Sequence, residues 1–376
     1  VAKYGEISNW DTSRVTDMRG LFADWGALTE VGWPGRGRLG VDLPVTEVDR
    51  DDVEWFNEPL NNWDVSNVTN MESMFAGATS FNQPLDKWDV SNVENMKSMF
   101  GGANSFNQPL NNWWNVSKVT NMSAMFNGAT SFNQPLDEWD VSKVTNMEGM
   151  FQAAHSFNQP LNTWNVSNVV NMSSMFREAE SFNQPLNDWD VSKVTTMERM
   201  FEGYWDWFRR RHDASSFNQP LNKWNVSKVT NMGNMFHAAT SFNSSLAWKK
   251  NWNCSNVTNM EWMFSGATSF NQPLNNWDVS NVNRMDHMFQ NARSFDQPLN
   301  KWNVSNVDRM HTMFYEARSF NQPLNDWNVS KVTEMGSMFC NATSFNQPLD
   351  KWNVSNVTEM IDMFDGATSF NQPLNK

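Results

Sequence analysis

The chain has 376 residues, and its 28 Lys and Arg against 41 Asp and Glu give a formal net charge of −13 at pH 7. This acidic balance argues against DNA, RNA or an anionic membrane surface as a partner, because all three attract clustered positive charge. The sequence contains no apolar run near the roughly 18 residues that would span a bilayer. It starts at Val1 without a signal-peptide pattern and stops within a repeat at Lys376, so we expect it to be a segment of a longer protein.

The composition indicates tandem repetition. The chain has 21 Trp, 27 Phe and 25 Met but only 3 Tyr, and so narrow a skew is typical of one unit copied many times. In chain order, residues 1–23 are predicted to form a divergent N-terminal capping coil containing ISNWDTSRVTDMRGLF, and residues 24–55 form the largest insertion. Residues 56–376 are tandem repeats with a second insertion at 203–214, and we predict one solenoid domain over 1–376.

The repeat is typified by FNEPLNNWDVSNVTNMESMFAGATS (56–80), and its first Phe recurs mostly every 25 residues as far as Phe370. A fixed period of this length predicts a solenoid, in which each coil contacts only its neighbours. The W-x-V motif at 63–65 alternates apolar and polar residues, which predicts a short strand. The M-x-x-M-F-x-x-A motif at 71–78 has the apolar spacing of a helix face. We therefore predict an α/β, right-handed solenoid of about thirteen 25-residue coils, with a parallel sheet on one face and short helices on the other.

An asparagine follows the first Phe of nearly every repeat. Its side chain can bond amides and carbonyls of its own and adjacent coils, because an amide both donates and accepts hydrogen bonds. We predict a structural ladder that includes Asn82, Asn107, Asn133, Asn158 and Asn183.

The same motifs carry a family resemblance. L-x-x-W-x-V-S followed by V-x-x-M resembles the L-x-x-L-x-L segment of leucine-rich repeats, and the full unit is similar to the 26-residue tandem repeat of bacterial surface proteins of the BspA-like group. This resemblance implies a leucine-rich-repeat-like fold in an exported or cell-surface, often adhesin-like protein. It implies no catalytic residue.

The second insertion, GYWDWFRRRHDA, differs from the rest of the chain. One interpretation is a recognition patch, because Trp, Tyr and Arg dominate interface hot spots. The other is a cover that packs on the coils while its arginines pair with their acidic surface. Under the first interpretation the candidate binding residues, with two from the first insertion, are Tyr204, Trp205, Trp207, Phe208, Arg209, Arg210, Arg211, Trp25 and Trp33.

The sequence gives little support for catalysis or for metal binding. The 5 histidines are not arranged with a nucleophile and an orienting group, so we predict no catalytic residues and no cofactor. The outward W-x-V position carries Asp or Asn, and Asp64 and Asp89 are weak calcium candidates, although one carboxylate per coil is few for an ion that takes six or more oxygens. The alternative is a solvated polar ladder, and we predict no metal. Recurrent NVS and NVT sequons could carry glycans in a eukaryotic secretory pathway.

These features favour a non-enzymatic extracellular or cell-surface repeat scaffold that mediates adhesion by binding protein or glycan. The alternative is a structural subunit of a virion, filament or surface layer that packs through the solenoid ends and insertions. The expected partners are therefore surface proteins, glycans, copies of the chain itself or other assembly subunits, with no nucleic acid and no transmembrane segment. The expected location is extracellular or on a cell surface, or on a virion surface under the alternative.

Overall fold

The structure, a computed structural model, describes residues 7–23, 54–111, 114–206, 211–212, 215–246 and 252–374. The fold consists of two compact units, Val1–Asn168 and Val169–Lys376. The regular elements of the described residues are short: a 3-10 helix at Ile7–Asn9, strand β1 at Trp205–Asp206 and strand β2 at Arg211–His212. Strands β1 and β2 pair antiparallel. Most of each coil is built from turns instead.

The predicted helix over 71–78 is wrong, because this segment is a chain of turns. Ser73 has a φ of 57° and Gly77 a φ of 76°, and such left-handed residues interrupt the helical path. Backbone amides then alternate between two acceptors. Met74 N donates to Met71 O in its own coil at 3.2 Å, whereas Ser73 N donates to Lys97 O of the next coil at 2.7 Å. The stacked coil therefore satisfies donors that a helix would have satisfied internally.

The predicted strand at W-x-V is also wrong. Trp63 and Val65 do point into the core, but their segment forms no ladder, and Trp63 N donates to Leu60 O at 3.0 Å in a turn. Parallel pairing occurs later in the coil as isolated bridges, such as Asn70 with Asn95. The α/β description therefore does not hold for the described residues, whereas a repeat solenoid does.

Columns of identical side chains form the core of each unit. In the first unit, the rings of Phe75 and Phe100 stack with centroids 5.5 Å apart, and Phe126 continues the column at 5.6 Å. In the second unit, Phe176 and Phe201 repeat the arrangement at 5.7 Å. These rings are buried, and each buried aromatic side chain contributes about 1.5–3 kcal/mol of burial free energy. Like residues therefore lie over like residues within each unit.

The second insertion leaves the coil without disturbing these columns. Phe201, just before it, stacks on Phe217, just after it, with centroids 4.0 Å apart. Phe201 also continues its own column to Phe236 at 5.7 Å. Gly203 N still donates to His237 O at 2.7 Å. The chain therefore departs after Gly203 from a coil that is fixed on both sides.

Candidate functional site

A cavity of about 640 Å³ lies in the second unit where the second insertion begins. This volume is within the range of about 300–1,000 Å³ that is usual for ligand sites. Its lining combines arginine and glutamate side chains with Tyr204, Trp262, His237 and two asparagines. Successive coils contribute these residues, so only stacking brings them together.

The coil pattern explains why these side chains reach the cavity. In the segment from Met197 to Phe201, the two methionines and the Phe are buried in the columns, which leaves the positions between them for polar residues. One of these positions has a left-handed backbone in coil after coil. Three cavity residues occupy it, with φ angles between 57° and 60°: Arg199, Asn234 and Trp262.

Glu202 lies at the centre of the charge network. Its carboxylate is 3.1 Å from Arg177 Nε, 3.3 Å from His237 Nδ1 and 3.8 Å from Arg199 Nε. Its side chain is only 11% exposed. A carboxylate so far removed from water needs such partners, because an isolated buried charge is costly.

The other charges of the cavity are also paired. Arg177 Nη2 is 2.8 Å from Glu178 Oε1, and Arg284 Nη2 is 2.9 Å from Glu261 Oε2. Arg199 Nε is 3.8 Å from Glu198 Oε1. Each arginine that lines the cavity therefore faces at least one glutamate, and the charges largely neutralise one another.

Two buried polar atoms of this network make no hydrogen bond: Arg177 Nε and Glu202 Oε2. They are 3.1 Å apart, close enough for an ion pair, but their geometry is not that of a hydrogen bond. A buried polar group left unsatisfied costs about 1–3 kcal/mol. The ion pair between the two atoms offsets part of this cost.

A ladder of rings continues from the cavity along neighbouring coils. Trp262 stacks on His287 with centroids 3.8 Å apart, and His237 meets Trp262 edge-on at 5.5 Å. His287 in turn meets His311 at 5.4 Å. Burial lowers the pKa of His287 to about 4. Its imidazole is therefore neutral at pH 7, and Trp262 is held between two rings.

The structure describes part of the predicted recognition patch. Tyr204 lines the cavity and is 41% exposed. Trp205 and Arg211 belong to β1 and β2, which pair with each other. The remaining candidates stay predictions, because they lie outside the described residues: Trp207, Phe208, Arg209, Arg210, Trp25 and Trp33.

The asparagine ladder links successive coils. Asn82 Oδ1 accepts a hydrogen bond from Asn107 N at 3.0 Å, and also one from Gln108 Nε2 at 3.0 Å. The backbone bond recurs along the first unit: Asn133 N donates to Asn107 Oδ1, and Asn158 N donates to Asn133 Oδ1, each at 3.0 Å. In the second unit, Asn218 N donates to Asn183 Oδ1 at 2.9 Å.

The two weak calcium candidates point into their own turns. Asp64 Oδ1 accepts from Ser66 Oγ at 2.6 Å, and Asp89 Oδ1 accepts from Ser91 N at 3.0 Å. The Ser66 hydroxyl and amide hold the pKa of Asp64 below its usual value. Across the part of the chain that the structure describes, no three His, Cys, Asp or Glu side chains group together as metal ligands would.

Several cavity residues escaped prediction from the sequence. Glu202 directly precedes the insertion, and Trp262 stands where other coils carry a small residue such as Ser73 or Ala124. Both were visible as departures from the repeat. Their proximity was not visible, because it depends on which outward positions of successive coils come together.

Comparison with known proteins places the repeats in a family. Residues 2–30, 50–113, 114–211, 206–325 and 298–376 match the family described as "Mycoplasma protein of unknown function, DUF285". The chain belongs to this family. The matches cover most of its length, including the divergent first coil and the residues around the cavity. The narrower link to BspA-like proteins stays a hypothesis.

Two solved structures are distant likenesses of this DUF285 chain. A leucine-rich-repeat protein from Bacteroides ovatus ATCC 8483 has 13% identity and a TM-score of 0.30, over 81% of this chain and 75% of that one. A leucine-rich-repeat protein of Leptospira interrogans has 7% identity and a TM-score of 0.23, over 83% of both chains. No protein of curated function matches the sequence. Within the described ranges, no helix has the length and apolar character needed to cross a bilayer.

Proposed function

We propose that this chain is a non-enzymatic repeat scaffold that binds protein or glycan partners at a cell surface or outside the cell. The observation that carries the proposal is the cavity of about 640 Å³ beside the second insertion. It combines aromatic and paired charged side chains, including Tyr204 and Arg199, and such residues are enriched at binding sites.

The coil architecture supports a binding role. Columns of buried Phe, Met and Trp hold the backbone, so the residues between them can change without disturbing the core. Binding residues are commonly carried on loops that a rigid scaffold positions. The resemblance of the repeat to bacterial surface proteins supports the surface location and the role in adhesion.

A binding screen tests this function. Immobilised chain 1–376 is probed with arrays of extracellular proteins, peptides and glycans, and the partners found are measured again with Tyr204→Ala. We expect at least tenfold weaker binding, because this variant removes an exposed aromatic contact. Tyr315→Ala is the matched control, since Tyr315 does not line the cavity. Equal binding by both variants and the wild type would exclude this site.

Location requires its own measurement. Antibodies against the chain should label intact cells of the source organism as strongly as permeabilised ones if the protein is on the surface. Labelling that requires permeabilisation would refute this part of the proposal.

A second candidate is a structural subunit of a larger assembly. Ile361 is 66% exposed and stands at an outward position where other coils carry Glu261, Asp286 or Gly336. An exposed apolar side chain at such a position is suited to contact with another copy. Under this function, light scattering should show concentration-dependent self-association that Ile361→Lys abolishes. A monomer at all concentrations would argue against it.

A further inference from the structure

We infer that the cavity beside the second insertion recognises a neutral oligosaccharide, whose hydroxyl groups bridge the glutamates and arginines that line it. The inference rests on the proposed function and narrows it from protein or glycan to one ligand class. Three features support it: the pairing of the charges, the side-chain amides in the lining and the aromatic residues.

The pairing of the charges disfavours an ionic ligand. Arg284 is paired with Glu261 at 2.9 Å, and Arg177 with Glu178 at 2.8 Å. A phosphate, sulfate or ammonium group would have to displace one member of a pair and leave its partner uncompensated, which is costly away from water. A hydroxyl group avoids this cost, because it can donate to a carboxylate and accept from a guanidinium at once.

The amides of Asn234 and Asn259 extend the same chemistry. Both line the cavity, and a side-chain amide can donate and accept hydrogen bonds, as a sugar hydroxyl does. A peptide backbone matches this mixture less well, because its carbonyl only accepts and its amide only donates.

The aromatic residues provide an apolar contact and a rigid wall. Tyr204 is 41% exposed, so its ring can pack against the C–H face of a sugar while its hydroxyl hydrogen-bonds. Trp262 is held by His287 on one face and by the edge of His237. Trp262 therefore forms a rigid part of the cavity wall.

The test uses purified chain 1–376 with cellohexaose, mannohexaose and chitohexaose as neutral probes, a heparin hexasaccharide as anionic probe and a random decapeptide library. Isothermal titration calorimetry should detect binding of at least one neutral hexasaccharide. Glu202→Gln should weaken it about tenfold or more, because it removes a charged acceptor and disturbs its arginine partners. Glu334→Gln is the matched control: Glu334 also pairs with an arginine, at 2.9 Å, but lies outside the cavity lining. It should bind as the wild type does.

Tyr204→Ala provides a second variant if Glu202→Gln does not fold, since Tyr204 is partly exposed. Lack of binding by all three neutral hexasaccharides overturns the inference, as does binding that neither cavity variant weakens. If only heparin or peptides bind, and Tyr204→Ala abolishes that binding, the scaffold function stands and the sugar assignment fails. If no probe of any class binds, both fail.

Discussion

Replacing Gly149 by Ala should lower the stability of a coil built from turns but raise that of a helical coil. The sign of the stability change therefore distinguishes the two structures. Gly149 is the third residue of an M-x-x-M motif, in the segment where the apolar spacing predicts a helix. In the structure its φ is +58°. An added Cβ would lie 3.3 Å from Gln152 Oε1, the flexible end of a side chain, so space does not prevent the substitution.

The expected magnitude follows from the backbone. A non-glycine residue in the left-handed region costs about 1–2 kcal/mol. Loss of glycine's freedom in the unfolded chain returns about 0.4–1 kcal/mol. We therefore expect Gly149→Ala to lower the free energy of unfolding by about 0.5–1 kcal/mol. In a helix the same change would raise it by about 0.8–1 kcal/mol.

Thermal unfolding followed by tryptophan fluorescence measures this difference. For a unit of this size, a change of 1 kcal/mol shifts the melting temperature by about 2–4 °C. Ser174→Gly is the reciprocal variant: Ser174 has a φ of 56°, so this change should stabilise the protein. A higher melting temperature for Gly149→Ala, or a lower one for Ser174→Gly, would refute the left-handed turn.

Three further predictions concern the ladder, the core and the histidine column. Asn107→Ala should cost about 1–3 kcal/mol in urea unfolding, because it leaves Asn133 N without its acceptor; Asn107→Asp should be nearly neutral, since Asp296 fills the equivalent place and accepts the same bond. Phe126→Ala should cost about 3–5 kcal/mol in the same assay, and a cost below 1 kcal/mol would contradict its burial in the column. The pKa of His287 is lowered to about 4 in the folded protein, from an ordinary value of about 6.5. The buried neutral His287 side chain therefore gives its full stabilisation above pH 6.5, and this stabilisation is lost as the pH falls towards 4. Over this pH range, the melting temperature of the wild type should fall more steeply than that of His287→Phe. Parallel curves for the two proteins would contradict this prediction.

The sequence predicts which side chains face the core but not the path of the backbone between them. The buried columns of Met, Phe, Trp and Val follow from the 25-residue period, because stacking is the only way for such short coils to bury them. The helix prediction failed because a chain of turns can present the same spacing inward. Ser73, Ser98 and Gly149 between the methionines gave a warning, since Ser and Gly are weak helix formers.

The site could be predicted only where it interrupts the repeat. Tyr204 stands out as part of an insertion. Glu202 and Trp262 lie 60 residues apart in the chain, and their shared cavity depends on the register of coils and on the outward direction of each position. That direction is set by backbone angles that the residue types do not reveal.

The left-handed position also explains where the chain can vary. It recurs in coil after coil and is occupied by residues as different as Ser73, Arg199, Trp262 and His287, so the turn tolerates many side chains. The backbone strain at this position is set by the path of the coil, and the burial free energy of the columns on either side outweighs this strain. A residue at this position can therefore change at little further cost to the fold. We expect binding specificity in these coils to be encoded there, and the cavity lined by Arg199 and Trp262 fits that expectation.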